Sequence, residues 1–229
     1  MRPVIIETGY LKTAEGSALI SVGNTRVLCA ASVEDGVPQF LRGTGKGWVT
    51  AEYAMLPRAT LKRTPREVSK GRPSGRTYEI QRLIGRSLRG VIDFEGLGER
   101  TVWIDCDVLE ADGGTRCAAI TGGFVAIELA LRRLVSEEKL ERVPLNGSVA
   151  AVSCGVVGGE ALLDLDYEED SRADVDTNIV MTGSGKFVEV QATAEHRPFD
   201  DAQLTGLIEL ARGGIRQLID HQKQVIQPR

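Results

Sequence analysis

The sequence predicts an α+β fold in which mixed sheets pack against helices. Three observations carry that expectation. Short segments of alternating polarity come in pairs joined by Gly-containing turns. Longer segments repeat apolar residues at helical spacing. Both halves of the chain run strands first and helices afterwards. With 229 residues, 42% hydrophobic and 26% charged, the chain has material for a sizeable core, as one compact domain or two small fused halves. An ancient duplication fits this outline, although no residue-level repeat supports it.

Ala18 to Val22 and Arg26 to Ala30 flank Gly23-Asn24, a hairpin signal. Residues 34–47 are Gly-rich and read as loop, and Trp48 to Leu56 as partly extended. Residues 57–76 carry three prolines and read as an exposed, mobile loop. Ile80, Leu83, Ile84, Leu88 and Val91 then mark a helix, with Arg82, Arg86 and Arg89 on another face. Thr101 to Glu110 alternates as a half-buried strand, with Asp105 and Asp107 facing solvent or serving structure. A long apolar helix is expected from about Thr115 to Val135. Val149 to Val157 and Ala161 to Tyr167 form a hairpin around Gly158-Gly159, and Thr177 to Met181 and Phe187 to Thr193 another around Gly183-Ser184-Gly185. Asp200 to Gln203 has the form of a capping box that opens the last helix.

Bulk properties narrow the function. The net charge is −4 and the isoelectric point about 5.4, so any nucleic-acid contact must come from a local basic patch. Cys29, Cys106, Cys117 and Cys154 form no CxxC pair and no zinc-type cluster, which reads as buried, reduced thiols in a cytoplasmic protein. The apolar start is too short for a signal peptide, and no run is long enough to span a membrane. His196 and His221 are the sole histidines, and neither sits in a Ser/His/Asp or Cys/His order.

Three stretches carry chemistry. Gly113-Gly114-Thr115-Arg116 lies between a strand and a helix. Glycines allow close backbone approach, helix-start N–H groups favour anions, and Arg116 offers a bidentate fork, so phosphate fits. An ordinary turn with Thr115 as helix cap fits as well. Eight acids lie between Glu160 and Asp176 against Arg172 alone, with Asp170 and Asp176 six apart in an expected loop. That spacing suits Mg²⁺ or Mn²⁺, and a solvated acidic loop is the competing reading. Seven cations, Arg58, Lys62, Arg63, Arg66, Lys70, Arg72 and Arg76, oppose Glu67 alone in residues 57–76. They suit an RNA backbone, with Tyr53 and Tyr78 placed to stack on bases, or else acids on a neighbouring subunit.

Gly43 to Arg58, Gly75 to Ile84, Asp105 to Arg116, and Glu169-Asp170-Ser171 through Asp174-Val175-Asp176 are long runs that together resemble the ribonuclease PH family. The resemblance covers nearly the whole chain in order. It implies a single catalytic domain over residues 1–229 with a duplicated strand–helix core. It implies a phosphate-dependent nucleotidyltransferase that trims 3′ ends of tRNA precursors and other RNAs and releases nucleoside 5′-diphosphates. Arg76, Gly114, Thr115 and Arg116 would hold inorganic phosphate. Asp170 and Asp176 would serve catalysis and the divalent metal, and Arg58, Arg63 and Arg66 would contact RNA. Members assemble as hexameric rings, trimers of dimers, away from any membrane. They usually begin with a basic Gly-Arg segment ahead of the equivalent of Arg2-Pro3-Val4; this sequence lacks about ten such residues. A non-enzymatic RNA-binding ring subunit and a metal-dependent hydrolytic nuclease are the rival readings.

Overall fold

The computed structural model describes residues 1–227. Five strands build the first sheet: β1 (Val4–Thr8), β2 (Gly16–Val22), β3 (Thr25–Asp35), β4 (Trp48–Met55) and β5 (Arg100–Glu110). Their order is β1-β2-β3-β5-β4. The β2–β3 hairpin closes at Gly23-Asn24 as expected, with Val22 opposite Thr25. β4 runs parallel to β5. Parallel neighbours need a crossover, and helix α1 (Gly75–Arg89) supplies it, followed by the single turn α2 (Phe94–Leu97). Helix α3 (Thr115–Ser136) leaves the end of β5.

The second sheet has the order β7-β6-β8-β9, from β6 (Val149–Val157), β7 (Glu160–Leu163), β8 (Val175–Thr182) and β9 (Phe187–Ala194). The single turn α4 (Tyr167–Asp170) joins β7 to β8, and α5 (Asp201–Ile226) ends the chain. The Asp200–Gln203 capping box forms in full.

α3 is the structural centre. Its residues are buried without a break from Cys117 to Ile127. A helix that is apolar on all sides belongs between layers, and α3 packs on β2 and β3 of one sheet and on β6 of the other. β6 is correspondingly buried on both faces. Val149 and Ala151 join the core around α3, whereas Ala150, Val152, Cys154 and Val156 join Leu207, Ala211, Ile215 and Leu218 of α5. The four cysteines are free and buried, as the sequence predicts.

Four expectations need correction. The strand proposed to reach Tyr167 stops at Leu163, because Asp164 takes a left-handed conformation (φ 64°) and Asp166 caps α4. β8 begins at Val175, so Asp176 sits on a regular strand and not in a loop. The basic stretch is shorter than expected at its end. Ser74 accepts from the Thr77 N–H, so α1 opens at Gly75 and Arg76 belongs to its first turn. Arg86 stays exposed but pairs with Glu189 at 2.5 Å, and Arg89 leaves the basic surface, lying over the Trp48 ring and donating to the Val49 carbonyl.

Candidate active site

The site lies where the first turns of α1 and α3 face the second sheet. Arg76 and Arg116 each occupy the second position of a helix. The peptide N–H groups of such a turn point outward and carry partial positive charge. In α3 no side chain caps that turn. The cap is Gly114 in the left-handed region (φ 64°), not Thr115, which is the first helical residue. Gly113 is left-handed as well (φ 77°), and a Cβ there would stand 2.3 Å from the Leu165 carbonyl oxygen. Only glycine fits at Gly113, so the loop and the start of α4 close tightly against each other.

The opposing wall follows from strand periodicity. Alternate residues of a strand share a face. Asp176, Asn178 and Val180 of β8 therefore point one way, and Val180 joins the core around α3. Thr193, Gln191 and Glu189 stand opposite these three on β9. Gln191 accepts from Arg116 Nη1 at 3.2 Å and donates to Glu79 Oε1 of α1 at 2.8 Å. Glu79 itself lies 3.9 Å from Arg116 Nη1. The Arg116 guanidinium, with 14% of its side chain exposed, is thus held from both halves of the chain. Asn178 donates to Asp176 Oδ2 at 3.3 Å and accepts from the Cys117 thiol at 3.3 Å. Burial pushes that thiol well above its ordinary value, so Cys117 is no nucleophile despite its place at a helix start.

Electrostatics tie the predicted residues into one site. Burial raises the Asp176 carboxyl, the Asp170 charge raises it further, and Arg116 pulls it down. Asp170 stands at the rim, crowded by protein on one side. That desolvation raises it while Arg116 and Arg76 lower it. Glu195 adds like charge to both. Arg76, Arg116, Asp170 and Asp176 therefore share one field, and Gly114 and Thr115 directly precede Arg116. Arg58, Arg63 and Arg66 are all exposed on the segment that precedes α1.

Sequence reasoning misses several participants. Gln191 and Asn178 carry no motif, and only the strand register brings them to Arg116 and Asp176. Tyr53 does not stand ready to stack on bases. It is 4% exposed, and its hydroxyl lies 2.8 Å from Thr115 Oγ1. Burying the ring is cheaper than exposing it, and the Thr115 hydroxyl satisfies its polar end. Arg2 is a further participant without a motif. Its guanidinium bonds both oxygens of buried Asp164, at 3.1 and 2.7 Å, and the carbonyls of Asp112 and Leu165. It braces the start of the turn through the Asp112 carbonyl, 110 residues away in sequence, and Asp164, 162 residues away.

Two helix starts that each bear an arginine, that of α3 without a side-chain cap, share a field with two carboxylates, an arrangement that suits a class of protein binding an oxyanion next to an acid-held group. Likeness to known proteins makes the class specific. Residues 1–132 match the model of the 3′ exoribonuclease family, domain 1, and residues 147–214 that of domain 2. Similar chains include ribonuclease PH of Solibacter usitatus, 68% identical with 99% of this chain and 95% of the relative covered. Ribonuclease PH of Moorella thermoacetica is 63% identical over 99% of this chain and 90% of its own. The chain belongs to the 3′ exoribonuclease family, within its ribonuclease PH members. The fold also matches the Archaeoglobus fulgidus exosome with RNA bound to the active site, at a TM-score of 0.80 and 22% identity over 96% of this chain and 88% of that one.

Proposed function

We propose that the phosphorolytic 3′ exoribonuclease activity of ribonuclease PH, which trims tRNA precursors, is carried in this chain by phosphate held between Arg76 and Arg116 on the Gly114–Thr115 turn. The supporting observation is the juxtaposition of two helix starts bearing arginines with the Asp170–Asp176 pair across from them. Phosphate is already a charged nucleophile, so positioning and charge neutralisation carry the reaction. One phosphate oxygen attacks the terminal phosphodiester phosphorus. The bond to the 3′ oxygen of the preceding nucleotide breaks, that oxygen takes a proton, and a nucleoside 5′-diphosphate leaves. No histidine base is required. Arg76 and Arg116 offset the repulsion between the two phosphates, and the brace from Gln191 and Glu79 keeps Arg116 aimed.

Asp170 and Asp176 are the residues that would hold a divalent ion, Mg²⁺ or Mn²⁺. Two desolvated carboxylates, with the Asp170 charge adding to the upward push on Asp176, suit a cation. No third His, Cys, Asp or Glu completes a cage among the described residues, as fits an ion shared with substrate oxygens. Such an ion supplies charge neutralisation at the scissile phosphate.

RNA would approach over Arg58, Arg63 and Arg66. Trp103 is exposed on the same face of β5 as Asp105 and Asp107, which supports assembly into the ring of six, a trimer of dimers. Two halves that share α3 and one site support a single catalytic domain over residues 1–229. Among the described residues no helix is long and apolar enough to cross a membrane. Cys29 and Cys106 are free thiols, Cys106 donating to Cys29 Sγ at 3.9 Å, which supports a reducing, cytoplasmic setting.

Arg116→Ala tests the reading. Phosphate-dependent trimming of a 3′-extended tRNA should fall by about 10²–10³-fold, the usual cost of removing a charge-stabilising donor. Undiminished phosphate-dependent trimming by that variant overturns the assignment.

A further inference from the structure

Tyr53 has no place in the proposed function, yet its hydroxyl reaches the site from the core. It comes from β4, where the ring is almost wholly buried, and Thr115 Oγ1 is its hydrogen-bond partner at 2.8 Å. Arg76 and Arg116 both act electrostatically on that hydroxyl. Thr115 is the more accessible of the two residues and belongs to the turn proposed to hold phosphate.

Each hydroxyl owns one hydrogen and two acceptor positions. If Thr115 donated to Tyr53, its hydrogen would point into the core. Its lone pairs would then face an anion that carries only lone pairs, a repulsive arrangement. If Tyr53 donates to Thr115, the Thr115 hydrogen is free to point outward at the phosphate. A phenol is also the stronger donor of the two, and burial keeps this one protonated by raising it above its ordinary value. Two hydroxyls donating in series polarise each other, which strengthens the outer bond.

We propose, resting on the reading of the Arg76–Arg116 turn as the phosphate site, that Tyr53 is a positioning residue for phosphate: its hydroxyl donates to Thr115 Oγ1 and aims the Thr115 hydrogen at the nucleophile. Tyr53 does not touch the substrate. It acts through Thr115, so its effect belongs to phosphate and vanishes when the Thr115 hydroxyl is gone.

A mutant cycle tests this by steady-state trimming of a tRNA with a short 3′ extension, with phosphate varied. Tyr53→Phe keeps the ring and its packing. It should raise the phosphate KM roughly 3- to 10-fold, the size of one neutral hydrogen bond, while the RNA KM stays near the parent value. Thr115→Val should raise the phosphate KM at least as much. Adding Tyr53→Phe to Thr115→Val should change nothing more. Thr115→Ser, which restores the hydroxyl, should restore sensitivity to Tyr53→Phe. An unchanged phosphate KM in Tyr53→Phe overturns the proposal, and so does a Tyr53→Phe effect that persists undiminished beside Thr115→Val. An RNA KM that rises together with the phosphate KM marks a structural role and overturns it too. If Thr115→Val and Arg116→Ala both leave phosphate use intact, the phosphate site itself is misplaced and the proposal falls with it. If they abolish it while Tyr53→Phe is silent, only the role of Tyr53 is lost.

Discussion

Gly113 and Gly114 are adjacent, and both are left-handed, but alanine should affect them differently. At Gly114 (φ 64°) a Cβ would meet nothing closer than Arg2 Nη2 at 3.4 Å, an ordinary contact. The cost of Gly114→Ala is then the left-handed backbone alone, about 1–2 kcal/mol. At Gly113 (φ 77°) the same strain applies, and the Cβ would lie 2.3 Å from the Leu165 carbonyl oxygen and 2.8 Å from the Asp166 carbonyl carbon. Those are backbone atoms that cannot swing aside. Overpacking of this kind adds about 1–3 kcal/mol. Gly113→Ala should therefore cost about 2–5 kcal/mol in all. Urea unfolding of both variants at one protein concentration reads the difference directly, because the slope should not change and the midpoint should. Gly113→Ala should also damage the phosphate KM more than Gly114→Ala, since relief of the clash moves the turn. Equal midpoints for the two variants would refute the idea that contact with the α4 loop sets the turn.

Arg2→Ala strands the carboxylate of Asp164, which is 8% exposed, without its main partner, and should cost about 3–5 kcal/mol in the same assay. Asp176→Asn should cut turnover far more than RNA affinity, measured by kinetics beside RNA binding; equal activity in Mg²⁺ would contradict a metal role for Asp176. The same variant should melt higher at neutral pH. Burial first, and Asp170 second, hold the Asp176 carboxyl above its ordinary value in the fold, so ionising it opposes folding as pH rises through the interval between the unfolded and folded values. The melting advantage should fade as pH falls to the ordinary aspartate range, and an advantage that grows in acid contradicts the sign. Replacing Arg58, Arg63 and Arg66 by alanine should weaken RNA binding on all sequences. The salt slope should fall by up to about 0.7 for each single-strand phosphate that these arginines neutralise; an unchanged slope removes them from the RNA path.

The regular elements are legible because their patterns are local. β5 alternates cleanly, α3 is a long apolar run, and the Gly23-Asn24 and Asp200–Gln203 signals lie within a few residues of what they specify. The anion turn is legible for the same reason, since Gly113 to Arg116 carries its chemistry in four consecutive residues. Spacing from Asp170 singles out Asp176, but a run of acids reads as a loop, and that reading hides Asn178. With the strand starting at Val175, period two puts Asp176 and Asn178 on one face. Gln191, Glu79 and Tyr53 are beyond local reading. Their partners lie 75, 112 and 62 residues away, and only the packing of α1, α3, β4 and β9 joins them. Arg89 shows the converse limit: its charge suggests a surface, yet its long stem and flat head pack on Trp48.

Transfer of isotope tests most directly whether phosphate held by Arg76 and Arg116 attacks the RNA end. The protein is given a 3′-extended tRNA and phosphate labelled with heavy oxygen, and the released nucleotides are weighed. The label should appear in the β-phosphate of nucleoside 5′-diphosphates, none should form without phosphate, and Arg116→Ala should release almost none. Unlabelled nucleoside monophosphates formed in the absence of phosphate would mean that water is the nucleophile and would contradict attack by phosphate.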